Sequence, residues 1–211
     1  MTSLATLLTL ADSRLPTGGH VHSGGVEEAI TEGLVVDLAT LRAYLMRRIR
    51  THGLVTASLA AAVHAGTLSL TEADGETDAR TPAPAARKAS RAQGRGLARL
   101  ARRVWTDHDW GPLGPTPHLA VAAGAVGRAS GLNPDQTAVS VVYTTMTGSA
   151  TAAQRLLALD PGDVAALTFE LAPLCEATAA EAGKELADLS DPLLDVLAQR
   201  HSERERPLFV S

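Results

Sequence analysis

The stretch DSRLPTGGHVHSGGVEEAI, Asp12 to Ile30, holds two histidines two residues apart, a serine, and a glycine pair on either side of them. Residues of these types at this spacing suit a phosphate cradle, a metal chelate, a nucleophile elbow or a shaped joint between helices. A phosphate-binding loop of the form G-x-x-x-x-G-K-[ST] needs a lysine to reach the phosphates and a hydroxyl for magnesium. Gly18 and Gly24 are suggestively spaced, but Gly25 and Val26 follow, and the only lysines are Lys88 and Lys184. A hydrolase elbow, G-x-S-x-G, fails at Val21, two residues before Ser23, where a side chain would crowd the turn. His20 and His22 would face one way only in an extended segment. Two ligands fall short of the four a closed structural zinc site uses. A metal site there would need a second pair across a dimer axis. The remaining reading is a joint: glycines shaping a helix–helix contact, at least one at positive φ, and histidines satisfying local backbone groups.

Further along, Arg87, Arg91, Arg95, Arg99 and Arg103 recur every four residues, opposite an apolar line of Leu97, Leu100 and Val104. Such a row is ordinarily a solvated face paired with carboxylates. Its functional reading is docking of an acidic partner, or an anion- or nucleic-acid-binding regulator through the Arg87–Arg103 face. With a formal charge of -4 and no interleaved aromatics, nucleic acid is not expected as a partner. A single cysteine, Cys175, rules out an internal disulfide and reads as a small buried hydrophobe. His201, next to Arg200, reads as a surface or capping histidine.

These residues need elements to hold them. At 211 residues the chain suits one domain, and a composition 45% hydrophobic but 3% aromatic puts the core on Ala, Leu and Val, as in closely packed helices. Leu4, Leu7, Leu8 and Ala11 follow helical spacing, Gly25–Glu32 reads as a short helix, and Asp37 caps a helix along Leu38, Leu41, Leu45 and Ile49. An Ala-rich helix spans about Leu54 to His64. Residues 71–85 mix Asp, Glu, Thr and Pro with little to bury and read as an exposed linker. A long helix follows Pro84, then a Pro/Gly loop over 107–117, a helix over 118–130, and helices opened by Asn133-Pro134, Asp160-Pro161 and Asp191-Pro192. TAVSVVYTT, Thr137 to Thr145, has strand propensity but lies in a long segment with no partner strand, and is read as helix. The expected class is all-α, a single-domain bundle of about eight to ten helices. Without a basic leader region or an apolar run near the ~18 residues of a membrane span, no membrane contact and a cytoplasmic location are expected.

With these elements placed, LADSRLPTGGHVHSGGVEEAI closely resembles the N-terminal motif of the urease accessory UreF family, Asp-Ser-x-x-Pro-x-Gly-Gly-x-x-His/Tyr-Ser-x-Gly-x-Glu. The matching residues are Asp12, Ser13, Pro16, Gly18, Gly19, His22, Ser23, Gly24 or Gly25, and Glu27. ARKASRAQGRGL is similar to the family's Arg-x-x-Ser-x-x-x-Gly stretch at Arg87, Ser90 and Gly94. The end of the chain, DPLLDVLAQRHSERERPLFVS, resembles the family's C-terminus at Asp191 or its neighbour, Pro192, Leu193, Leu194, Asp195, Arg200, His201, Leu208, Phe209 and Ser211. Departures are His20 where relatives often carry phenylalanine, Pro207 where arginine is usual (Arg206 stands one residue earlier), and 153–163, which lacks a Pro-Leu-Gly-Gln. The resemblance implies an all-α homodimer with no catalysis and no cofactor of its own. It would bridge a UreD/UreH-type scaffold and the GTPase UreG, so that nickel reaches the urease apoenzyme. The tail over 201–211 is the expected hook: Phe209, one of two phenylalanines, is placed where it does not easily reach the core, with Arg206 and Arg200 on a polar rim.

Overall fold

The computed structural model describes residues 4–17, 19–188, 191–205 and 207–209, the His20 side chain excepted, and every regular element among them is helical. In chain order these are α1 (Leu4–Leu10), a 3-10 turn (Gly19–Val21), α2 (Val26–Thr31), α3 (Leu38–Arg48), a π turn (Ile49–Gly53), α4 (Leu54–Ala65), α5 (Leu70–Ala79) and α6 (Pro84–Val104). A 3-10 turn (Gly111–Leu113), α7 (Leu119–Ala129), α8 (Pro134–Leu156), α9 (Pro161–Ala182) and α10 (Pro192–Ser202) complete the all-α fold.

Local chemistry sets most of the boundaries. Asp37 accepts from Thr40 N while Thr40 Oγ1 accepts from Asp37 N, and Asn133 and Gln136 pair in the same reciprocal way, so both helix starts are satisfied. Proline stands first in α6, α8, α9 and α10, where its missing N–H costs nothing. TAVSVVYTT is helical as expected. Thr137, Thr144 and Thr147 donate to the carbonyls of Asn133, Ser140 and Tyr143 one turn back, while Val141 and Val142 fill the core.

Helix α4, apolar and buried on nearly every side, is the axis of the bundle. It packs on α7, α8 and α9, with α6 outside α7 and α10 across α2 and α6. The main core joins Leu41, Leu45, Ile49, Met146, Leu167 and Leu171, and a second cluster lies between α6 and α7 around Leu97, Ala101, Trp110 and Val126. Cys175 is buried beside Met146, its Sγ 3.7 Å from the thioether, and burial pushes the thiol up to about 11.

Residues 71–85, expected as an exposed linker, are for the most part helix. Ser69 and Glu72 form a capping box, and Ala73 and Thr77, four residues apart, are buried, with the Thr77 hydroxyl donating to Ala73 O, so α5 has both a start signal and a buried face. Only the short passage before Pro84 is irregular.

Candidate functional site

A cavity of about 300 Å³ runs between the N-terminal segment and the helices, and its wall includes Asp12, Ser13, Gly19, His22, Gly24 and Gly25, together with Ser90 of α6 and Phe209 of the tail. The fold thus gathers parts of all three family-like motifs at one place. Gly24 and Gly25 both hold positive φ, 65° and 89°, where a β-carbon is strained. Gly18 lies outside the described residues, and Gly19 is not at positive φ. The expectation that at least one of these glycines holds positive φ is therefore met, at Gly24 and Gly25. Asp12 is tied to Arg14, whose guanidinium and N–H hold its carboxyl down at about 2. Pro16 is exposed, and the segment leading into the glycines is pressed on α6, where Thr17 O leaves no room for a side chain on Gly96.

Tyr44 and Arg48, one turn apart on α3, both donate to Gly24 O at 2.7 Å. Burial pushes the Tyr44 phenol up to about 12, so it remains a donor. Burial likewise disfavours the Arg48 charge. Beyond the π turn, His52 also faces the cavity and is held down at about 3, first by burial and then by the Arg48 charge. The surface His52 exposes is cavity wall, which is why it is open to water yet deep among protein atoms. Tyr44, Arg48 and His52 were all missed in the sequence, because none belongs to a local motif.

Ser23 is fully buried, its carbonyl accepting from Ser149 Oγ at 3.0 Å and its Oγ from Glu27 N at 3.4 Å. A nucleophile elbow would expose that hydroxyl, so Ser23 is structural. Around His20 the backbone is a 3-10 turn rather than the extended segment that would align it with His22, which is itself buried. The cluster with metal-ligand spacing lies elsewhere, at Asp74, Asp78 and His118. There Arg91 donates to both carboxylates at 2.8–3.1 Å, and His118, fully buried, bonds Asp78 Oδ1 at 2.9 Å and Ser90 Oγ at 3.0 Å. It is a salt-bridged clasp joining α5, α6 and the start of α7. Gly94 belongs to the same contact, since a β-carbon there would collide with Pro117 O.

The arginine row divides. Arg87 and Arg91 pair with Asp74 and Asp78, as a solvated face should. Arg95, Arg99 and Arg103 are exposed, and among the described residues none has a carboxylate within 4.0 Å.

Two expectations for the C-terminus are corrected. His201 is not at the surface: its side chain is 1% exposed and Nε2 donates to Glu27 Oε2 at 2.8 Å. Phe209 does reach the core, packing against the main cluster, while Leu208 N and Phe209 N donate to Glu27 at 2.8 and 3.0 Å. Burial would raise the Glu27 carboxyl, but the bonds from His201, Leu208 N and Phe209 N outweigh it and hold the group below its ordinary range. Arg204 pairs with Glu28 and Arg200 with Glu32, which sews the tail to α2. Leu208 is 79% exposed, an apolar side chain of the tail left outside. Arg206 lies outside the described residues.

Among the described residues no helix is long and apolar enough to cross a membrane. The UreF family model matches residues 35–172. Over 100% of both chains the protein is 81% identical to the urease accessory protein UreF of Mycolicibacterium vanbaalenii. At the same coverage it is 79% identical to that of Mycobacterium sp. (strain JLS) and 72% identical to that of Mycobacterium tuberculosis. Similarity of this depth along the whole length, together with the family model, establishes that the chain belongs to the UreF family.

Proposed function

We propose that the chain is a urease maturation protein acting as a non-catalytic adaptor. As a homodimer in the cytoplasm it bridges a UreD/UreH-type scaffold and the GTPase UreG, so that nickel, the cargo, is inserted into the urease apoenzyme. The observation that carries this reading is end-to-end identity with proteins named urease accessory protein UreF. The chemistry of the chain supports it: the glycine segment lacks the lysine and hydroxyl of a nucleotide-hydrolysing loop, so GTP turnover falls to a partner. Surfaces left without a mate support it as well. Leu208 projects from an anchored tail, which lowers the entropy lost when a partner pocket takes it. The Arg95–Arg99–Arg103 row suits a partner's carboxylates. The residues assigned to interfaces are Arg200, Arg206 and Leu208 directly, with Asp12 to Glu27, Arg87, Ser90, Gly94, His201 and Phe209 shaping the surfaces they stand on.

Tagged protein isolated from urease-producing cells should bring down the scaffold and the GTPase. Leu208→Asp, which alters an exposed side chain only, should stay folded and lose the scaffold. Recovery of neither partner by the unaltered chain would overturn the adaptor reading, and undiminished scaffold recovery by Leu208→Asp would remove the tail from it.

A further inference from the structure

The cavity contains a guanidinium whose partners are incomplete. Arg48 Nη1 donates to Gly24 O, but Nε is buried with no hydrogen-bond partner, and among the described residues Nη2 donates to no protein acceptor. These two nitrogens form the edge of the group that grips an oxyanion with two parallel bonds. Leaving Nε, a donor of a charged group, unsatisfied in a desolvated place is costly. No carboxylate is hydrogen-bonded to the group among the described residues; Asp191 favours its charge only through space. The Asp191 oxygens themselves are engaged by Arg47 at 2.6 Å, by Thr51 and by the first amides of α10.

The surroundings are shaped to keep this group in place. A β-carbon on Gly24 would stand 2.6 Å from Nη2 and 2.7 Å from Cζ, so the bare glycine makes the seat. Tyr44 fixes the same carbonyl that holds Nη1. The π turn begins immediately after Arg48, a distortion that accumulates at functional sites. His52, neutral near pH 7, brings an imidazole to the same cavity.

From this geometry we propose that the cavity is a binding site for a small oxyanion, of the carboxylate or phosphate type, held by the Nε–Nη2 edge of Arg48. The proposal stands apart from the adaptor reading, because it concerns the isolated chain and needs no urease partner. The cavity of about 300 Å³ is of a size that suits a small molecule or ion.

The test uses the full-length purified protein titrated with inorganic phosphate, and separately with acetate, at ionic strength kept constant with chloride. Thermal unfolding and the arginine Nε–H resonances are followed. A saturable rise in Tm is expected, together with a shift of one arginine Nε–H signal that Arg48→Lys removes. Arg48→Lys keeps the charge but not the two-pronged edge, and should weaken binding at least tenfold. Arg95→Gln, on the exposed row, should bind as the unaltered chain does. If Arg48→Lys does not fold, the unaltered chain still decides, since a free Nε–H edge that gains an acceptor must shift its resonance. A response linear in salt, or one lost in Arg95→Gln and retained in Arg48→Lys, would overturn the proposal. Saturation by acetate alone would identify a carboxylate site, and by phosphate alone a phosphate site.

Discussion

Replacing Glu27 by glutamine tests how the C-terminal tail is held. Glu27 and His201 side chains are 4% and 1% exposed, so solvent screens their contact little. The carboxylate accepts three bonds, from His201 Nε2 at 2.8 Å, Leu208 N at 2.8 Å and Phe209 N at 3.0 Å. A bond to a charged group contributes about 1.5–3 kcal/mol and a neutral one about 0.5–1.5, so losing the charge removes roughly 1 kcal/mol per bond. The sum is about 3 kcal/mol, or about 6–12 °C in Tm at 2–4 °C per kcal/mol for a chain of this size. Urea and thermal unfolding measure the total, and amide exchange at Leu208 and Phe209 measures the tail locally. The pH dependence carries a sign. Because folding depresses the Glu27 pKa, its contribution is complete above the ordinary value of 4.5 and is lost as pH falls through the folded value. The gap between the parent and Glu27→Gln should therefore be full at pH 7 and shrink in acid. Unchanged protection of the two tail amides in Glu27→Gln, or a stability gap that widens in acid, would refute this account.

Gly94→Ala should lower stability by about 3 kcal/mol or prevent folding, because the added carbon collides with backbone at Pro117 rather than with a movable side chain; equilibrium unfolding with a change under 1 kcal/mol would contradict that close approach. In limited proteolysis α5 should resist cleavage as well as its neighbours, and preferential cutting between Leu70 and Ala79 would show that the Ser69 cap and the Arg91 contacts do not hold it. The isolated chain should neither bind a fluorescent GTP analogue nor release phosphate from GTP, and turnover abolished by substitution at Gly24 would reverse the assignment of that chemistry to a partner. Gly24→Ala should cost more than Gly33→Ala, as both sit at positive φ but only Gly24 has Arg48 packed against it.

Most of the fold was legible because helix starts and stops are local. Asp37, Asn133-Pro134, Asp160-Pro161 and Asp191-Pro192 each satisfy or omit amides within one turn, and apolar spacing marks the buried faces. The α5 start was equally legible, as Ser69 and Glu72 stand at capping-box spacing, but the acidic composition of 71–85 masked a buried face of two residues, Ala73 and the polar Thr77. What the sequence by itself determined was the all-α class, the need for positive φ in the glycine segment and the family. Tertiary structure alone decided the rest. Glu27 and His201 are separated by 174 positions, Arg47 and Asp191 by 144, and Arg48 meets Gly24 only because α3 lies across the glycine turn. No periodicity encodes such pairs. Whether a histidine near the chain end is a surface group or a buried clasp, and whether Phe209 points outward or inward, depends on which carboxylate the fold brings to it. A buried carboxylate must find donors wherever the packed helices supply them, and that requirement is met in three dimensions rather than along the chain.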